Sequence, residues 1–225
     1  IDIFQEPFFR SLNLKIFNYK MVVALLLFYL GKKIIYQHLD RDSRSIEVKK
    51  VIEILILAGP IIPCYHSESS GIPLKASIDH SIFKVYFLDV GLMNYLHELS
   101  WMELESIFEK GFLTKGLIAE QFIAQHLAFL GEGKKPPELL YWLRDKSIQK
   151  AEVDFVLGLH QKIIPVEVKA EKGGRLKSLQ IFSNEKNSFE AIKFSKEWFY
   201  QEQIGRDDGS KLLVNNRPLY SVEAV

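Results

Sequence analysis

Apolar positions in this chain change their period along its length. From Ile46 to Ala58 they recur at helical spacing, with Ile46, Val51, Ile52, Leu55 and Ile56 on the inward side. Ser45 is the expected N-cap, and Gly59 backed by Pro60 is the expected stop. Upstream, Phe8 to Leu30 predicts one or two helices that are apolar on most sides, as where helices pack between domains. Downstream, Ile61 to Tyr65 and Pro73 to Ile78 predict two short strands around the turn-forming Ser67-Glu68-Ser69-Ser70-Gly71.

A second unit begins near residue 80, dividing the chain into 1–80 and 81–225. Its first strand is Ile82 to Leu88, and Asp89 is placed to cap a helix through Tyr95 and Leu96. A long helix is expected from Thr114 to Leu130, with Leu117, Ile118, Phe122, Ile123, Ala124, Leu127 and Leu130 mostly inward and Gly131 to Pro137 ending it. Strands follow at Leu139 to Leu143, Ala151 to Leu157, Ile163 to Ala170 and Ala191 to Phe194, with a helix at Leu176 to Phe182. That alternation predicts a mixed α/β fold with a central mixed sheet.

Two short runs carry the chemistry: Ala151-Glu152-Val153-Asp154-Phe155 and Pro165-Val166-Glu167-Val168-Lys169. Folded back about His160 and Gln161 as a hairpin, they set Asp154 opposite Glu167 and Glu152 opposite Lys169, all on one face. Ala151, Val153, Phe155, Val166, Val168 and Ala170 then share an apolar face. Directly opposed like charges are destabilising unless something neutralises them. Two carboxylates beside a lysine suit Mg²⁺ (or Mn²⁺), which takes one or two carboxylates and leaves other positions to water and substrate phosphate. The alternative is a solvated sheet face with a Glu152–Lys169 ion pair.

An Asp in one strand followed by Glu-x-Lys in the next resembles the core of the PD-(D/E)XK nuclease superfamily, the restriction-endonuclease-like fold. That superfamily usually adds an acidic residue on a preceding helix, and Glu120 in Gly116-Leu117-Ile118-Ala119-Glu120-Gln121-Phe122 stands in that place. A longer series runs from Phe83-Lys84-Val85-Tyr86-Phe87-Leu88-Asp89-Val90-Gly91-Leu92 through the Glu120 helix, Tyr141-Trp142, the two strand runs and Lys177-Ser178-Leu179 to Pro218-Leu219-Tyr220. From about Ile46 onwards it is similar to the C-terminal region of bacterial and archaeal AAA-type ATPases, where a winged helix and a nuclease-like domain follow the nucleotide-binding domain.

The resemblance implies 1–80 as a helical winged-helix-like region, which the order helix, helix, hairpin also suggests, and 81–225 as the nuclease-like domain. In a winged helix the last helix can enter the major groove. Arg41, Arg44, Lys49 and Lys50 lie at or near the start of that helix as phosphate contacts, interleaved with Asp40, Asp42 and Glu47. The other reading of this region is a packing module between domains.

No G-x-x-x-x-G-K-[ST] loop is present, so ATPase activity does not carry over. The chain starts with Ile and opens directly into helix-like sequence, which reads as a fragment or a truncated copy that has lost its ATPase domain. The family's Tyr-Trp-Arg run is interrupted by Leu143 before Arg144.

Composition narrows the picture further. The 225 residues are 48% hydrophobic with a net charge of +1, so any DNA site rests on local clustering rather than an overall basic excess. Cys64 is the single cysteine, which excludes an internal disulfide and fits a reducing cytoplasm. Met21 to Leu30 is too short an apolar run to cross a bilayer, so no membrane association is expected. The six histidines show no zinc spacing, and there is no G-x-S-x-G elbow. Trp101, Trp142, Trp198 and Tyr200 are either stacking surfaces for unpaired bases or packed aromatics.

In the mechanism these residues suggest, Asp154 and Glu167, with the Val168 carbonyl, hold Mg²⁺. Lys169 orients or helps deprotonate the attacking water and stabilises charge on the phosphate. Glu120 reaches the same metal, a second one, or Lys169. Gln180 either assists water or phosphate positioning or is an exposed helix residue. The superfamily resemblance implies a 5′-phosphate and a 3′-hydroxyl as products. Two functions follow from different classes: a Mg²⁺-dependent DNA endonuclease, and a non-catalytic DNA-binding or protein-docking module of an ATPase system.

Overall fold

A computed structural model describes residues 30–35, 44–96, 112–130, 138–145, 148–170 and 176–224. The expected helices between Phe8 and Leu30, together with Arg41 and Trp101, lie outside these residues, apart from Leu30 itself. Two five-stranded mixed sheets make up the α/β architecture, with strand orders β1-β3-β2-β4-β5 and β6-β7-β8-β10-β9. The first contains β1 (Ile34–Ile35), β2 (Ile61–Ser67), β3 (Ile78–Phe87), β4 (Leu139–Arg144) and β5 (Ala151–Val153). The second contains β6 (Phe155–Leu159), β7 (Lys162–Val168), β8 (Glu190–Ser195), β9 (Tyr200–Gly205) and β10 (Lys211–Pro218). Among the described residues four α-helices lie between the strands: α1 (Arg44–Ala58), α2 (Val90–Leu96), α3 (Phe112–Ala128) and α4 (Lys177–Lys186). Among the described residues, no helix is long and apolar enough to cross a membrane.

Helix α1 buries Val51, Ile52 and Leu55 as its spacing predicts, and ends at Gly59. At φ +93° Gly59 adopts a backbone conformation that side chains disfavour, and its N–H donates back to the Leu55 and Ile56 carbonyls. The start differs from expectation. Arg44 already belongs to the helix, so Ser45 lies inside it instead of capping it. Asp89 does cap α2, its Oδ1 accepting from the Gly91 and Leu92 N–H groups at 2.7 and 3.1 Å.

Pro73 to Ile78 does not form the expected strand. Leu74–Ser77 is a short 3-10 turn, and β2 pairs antiparallel with β3 instead. Its other edge pairs in parallel with β4, so β2 lies inside the sheet. Strand β3 also runs across residue 80, tying residues on both sides of the expected division into one sheet. Their side chains share a core that joins Val51 and Ile62 to Ile123, Tyr141 and Phe194.

The apolar pattern does not predict β9 and β10. They flank Asp207-Asp208-Gly209-Ser210, with Gly209 at φ +81°, and β10 alternates Leu212, Val214 and Asn216 inward. An Asp-Gly turn before an alternating run is a recognisable hairpin signal. Helix α4 also runs beyond Phe182, to Asn187 in the left-handed region, and Leu130 is exposed at the end of α3.

Candidate functional site

The hairpin of β6 and β7 turns on His160 and Gln161, both in the left-handed region at φ 48° and 61°. Two such residues form the tight turn whose twist matches paired strands. Leu159 therefore pairs with Lys162 and Phe155 with Val166. One step further along this register sets Asp154 opposite Glu167.

At Asp154 the strand ends. Upstream, β5 leaves the hairpin and pairs with β4, Glu152 opposite Leu143. Asp154 thus occupies the joint where the chain passes from one sheet to the other, and its Oδ2 accepts the Val168 N–H at 2.8 Å. The alternation changes phase there. Ala151 and Val153 pack with Val156 in the second core cluster, whereas Phe155 and Val166 belong to the first. The single apolar face expected for Ala151 through Ala170 is therefore split between two cores, because the β4 pairing rotates β5 relative to β6. Glu152 turns away with it. Its Oε1 lies 2.5 Å from the Lys84 ammonium, and Lys169 pairs instead with Glu167 Oε1, also at 2.5 Å.

Lys84, absent from the sequence-based set, sits at the centre. It projects from β3, is 1% exposed, and lies 3.3 Å from Glu120 Oε1 and 5.1 Å from the centre of the Tyr141 ring. The Tyr86 hydroxyl donates to the same Glu120 oxygen. Helix α3 is held in place by Gln121, whose side-chain amide donates to the Phe87 carbonyl at 2.7 Å and accepts its N–H at 2.8 Å. Glu120 therefore faces Lys84 and Tyr86. A lysine within the apolar run Phe83 to Phe87 was the available signal, since a buried polar residue is more informative than an exposed apolar one.

Burial is the main influence on these charges. It raises the Asp154 carboxyl well above the ordinary carboxylate range, Glu167 and Glu120 add to this, and Lys84 and the Val168 N–H oppose it. Burial likewise raises Glu167, with Lys169 opposing. For Lys84, burial disfavours the charge, but Glu120, Glu152 and Asp154 outweigh it and hold the ammonium well above its ordinary value. Lys169 is raised in the same sense, burial being outweighed by Glu167 first.

Four carboxylates, Glu120, Glu152, Asp154 and Glu167, stand against two ammonium groups, leaving two negative charges in excess when all are ionised. Glu167 Oε2 is buried without a hydrogen-bond partner. A lone carboxylate oxygen in such a place is costly unless a cation meets it. Among the described residues no three His, Cys, Asp or Glu side chains form a metal-holding set. The donors fit a two-carboxylate site, with Asp154 and Glu167 as oxygen ligands for a hard divalent cation and the remaining positions left to water and phosphate.

The other expected contacts do not converge here. Lys49 and Lys50 are exposed on α1, and Arg44 heads the same helix. Gln180 donates to the Gly205 carbonyl at 2.7 Å and so ties α4 to β9. Trp142 is buried, and Tyr200 bonds Lys193 at 2.6 Å.

Residues 115–209, which hold Glu120, Asp154, Glu167 and Lys169, match a domain of unknown function, DUF4143, associated with AAA-ATPase-linked proteins. Residues 11–103, which hold Lys84, match a second domain of unknown function, DUF8612. No curated protein and no solved structure matches the chain.

Proposed function

We propose that the residues around Asp154 form a Mg²⁺-dependent centre for hydrolysing DNA phosphodiesters, on a restriction-endonuclease-like scaffold that belongs to an AAA-type ATPase system. The observation that carries this reading is the buried, unpartnered Glu167 Oε2, one register step from Phe155–Val166 and opposite Asp154, with Lys169 2.5 Å from its other oxygen. When bound, the cation supplies an activated water and offsets charge on the phosphate. Asp154 and Glu167 hold it, and the Val168 N–H orients Asp154. Lys169 stays charged beside Glu167 and favours the phosphate's developing charge over taking a proton from water. Glu120 acts one layer back, fixing Lys84 and Tyr86.

The test is cleavage of plasmid and single-stranded DNA with Mg²⁺ or Mn²⁺, run beside Glu167→Ala and Lys169→Ala. Cleavage that needs metal and disappears in both variants is the expected result. Equal cutting by the variants, or none by the unchanged chain, removes the catalytic reading. It then leaves a non-catalytic DNA-binding or protein-docking module, which the AAA-ATPase association of the matched domain favours.

A further inference from the structure

Lys84 is the most deeply buried charge at the centre, 1% exposed on β3, and it meets two other elements at once. Its ammonium lies 2.5 Å from Glu152 Oε1 on β5 and 3.3 Å from Glu120 Oε1 on α3, with the Tyr141 ring centre 5.1 Å away. Taking a lysine out of water costs several kcal/mol, and an apolar side chain of similar volume avoids that cost. The carboxylates therefore account for Lys84, and the packing of β3 does not.

Carboxylate oxygens from different elements, converging on one buried positive charge, are also what a hard divalent cation takes. The four carboxylates fall into two pairs. Asp154 and Glu167 stand opposite each other at the hairpin, Glu167 being 6% exposed with its Oε2 unpartnered, whereas Glu120 and Glu152 share Lys84. Many phosphodiesterases fill such an arrangement with two cations side by side. The charge balance here differs. With Lys84 and Lys169 in place two negative charges are in excess, which one divalent cation neutralises. A second would leave the buried cluster positive by the same amount.

We infer that the Lys84 ammonium stands in for a second divalent cation, holding the Glu120–Glu152 pair with a fixed charge so that the centre takes a single exchangeable metal ion, at Asp154 and Glu167. The inference rests on the metal-centre reading above and deepens it. A tethered ammonium stays in place however scarce the metal, so the second positive charge is always present. It has three N–H donors and no open coordination position, so it fixes carboxylates and adds positive field but does not activate a bound water. Lys84 is by this account a positioning residue.

The experiment counts Mn²⁺ bound to the full chain by titration, with free and bound ions read by electron paramagnetic resonance. One ion per chain is expected for the unchanged protein, and two for Lys84→Ala, with the spectrum of a spin-coupled pair. Lys84→Arg, which keeps the charge, and the double variant Lys84→Ala, Glu120→Gln, which removes half of the vacated pair, should each bind one. One more ion on Lys84→Ala than on an unchanged chain that binds one or none supports the inference. Equal counts, or two ions on the unchanged chain, overturn it and leave Lys84 as an ion-pair partner only. The unchanged chain's own count judges the metal-centre reading separately: no bound ion removes the metal from Asp154 and Glu167, and one keeps it there even where Lys84→Ala adds none. If Lys84→Ala is unfolded in EDTA, Mn²⁺ is expected to restore its melting transition. A variant that stays unfolded in saturating Mn²⁺ also overturns the inference, because the cation then fails to replace the ammonium.

Discussion

Asp154 accepts the backbone N–H of Val168 at 2.8 Å, so a side chain takes over the strand pairing where the backbone of β5 departs for the other sheet. This one bond makes Asp154 both a structural splice and a partly buried carboxyl opposite Glu167. The two roles separate on substitution.

Asp154→Asn keeps an acceptor for the Val168 N–H and removes one negative charge from the cluster. The variant is expected to fold, and in EDTA to melt at or above the temperature of the unchanged chain. Mg²⁺ should raise the melting temperature of the unchanged chain, as any ligand of the folded state does, and leave the variant unmoved. Thermal melts with and without Mg²⁺ measure both. Equal Mg²⁺ shifts in the two proteins exclude Asp154 as a ligand.

Lys84→Met removes the cation that Glu120 and Glu152 share. Breaking a buried ion pair by deleting one partner costs about 3–5 kcal/mol, and the low end of that range applies because Glu152 is 40% exposed. Urea unfolding measures the loss. The double variant Lys84→Met, Glu120→Gln, which no longer leaves Glu120 as an uncompensated charge, should recover part of it.

The raised Asp154 and Glu167 carboxyls give stability a definite pH slope without metal. Their folded forms hold protons more tightly than the unfolded chain does, so their contribution is full below the ordinary carboxylate range, near pH 4, and is lost as pH rises through the raised values. Urea midpoints in EDTA from about pH 4.5 to about pH 8 should fall more steeply for the unchanged chain than for Asp154→Asn. Mg²⁺ affinity should rise over the same interval, because the ligands must lose their protons to bind. Parallel stability profiles in EDTA would show that Asp154 ionises normally.

The turn offers a prediction on stability alone. His160 and Gln161 sit in the left-handed region that Asn and Gly adopt at lower cost. Replacing them together with Asn-Gly should raise stability by about 1 kcal/mol, or about 2–4 °C in Tm for a chain of this size. Thermal melts check it, and cleavage should be unaffected because the pair lies at the opposite end of the hairpin from Asp154.

How much of the site was legible follows from how local each feature is. The 154–167 register could be read from the chain because it depends on a two-residue turn and on alternation within neighbouring segments. The Gly59 stop and the Asp89 cap were equally local. Lys84 was not legible as a site residue, since a lysine in an apolar strand shows that it needs a partner without showing which one. Its partners come from α3 and β5, and only the packing of those elements against β3 brings Glu120 and Glu152 to it. The phase change at Asp154 has the same origin. Strand propensity and period continue smoothly from Ala151 to Leu157, and it is the competing edge of β4, supplied by a different part of the chain, that draws β5 away and turns Glu152 from Lys169 to Lys84.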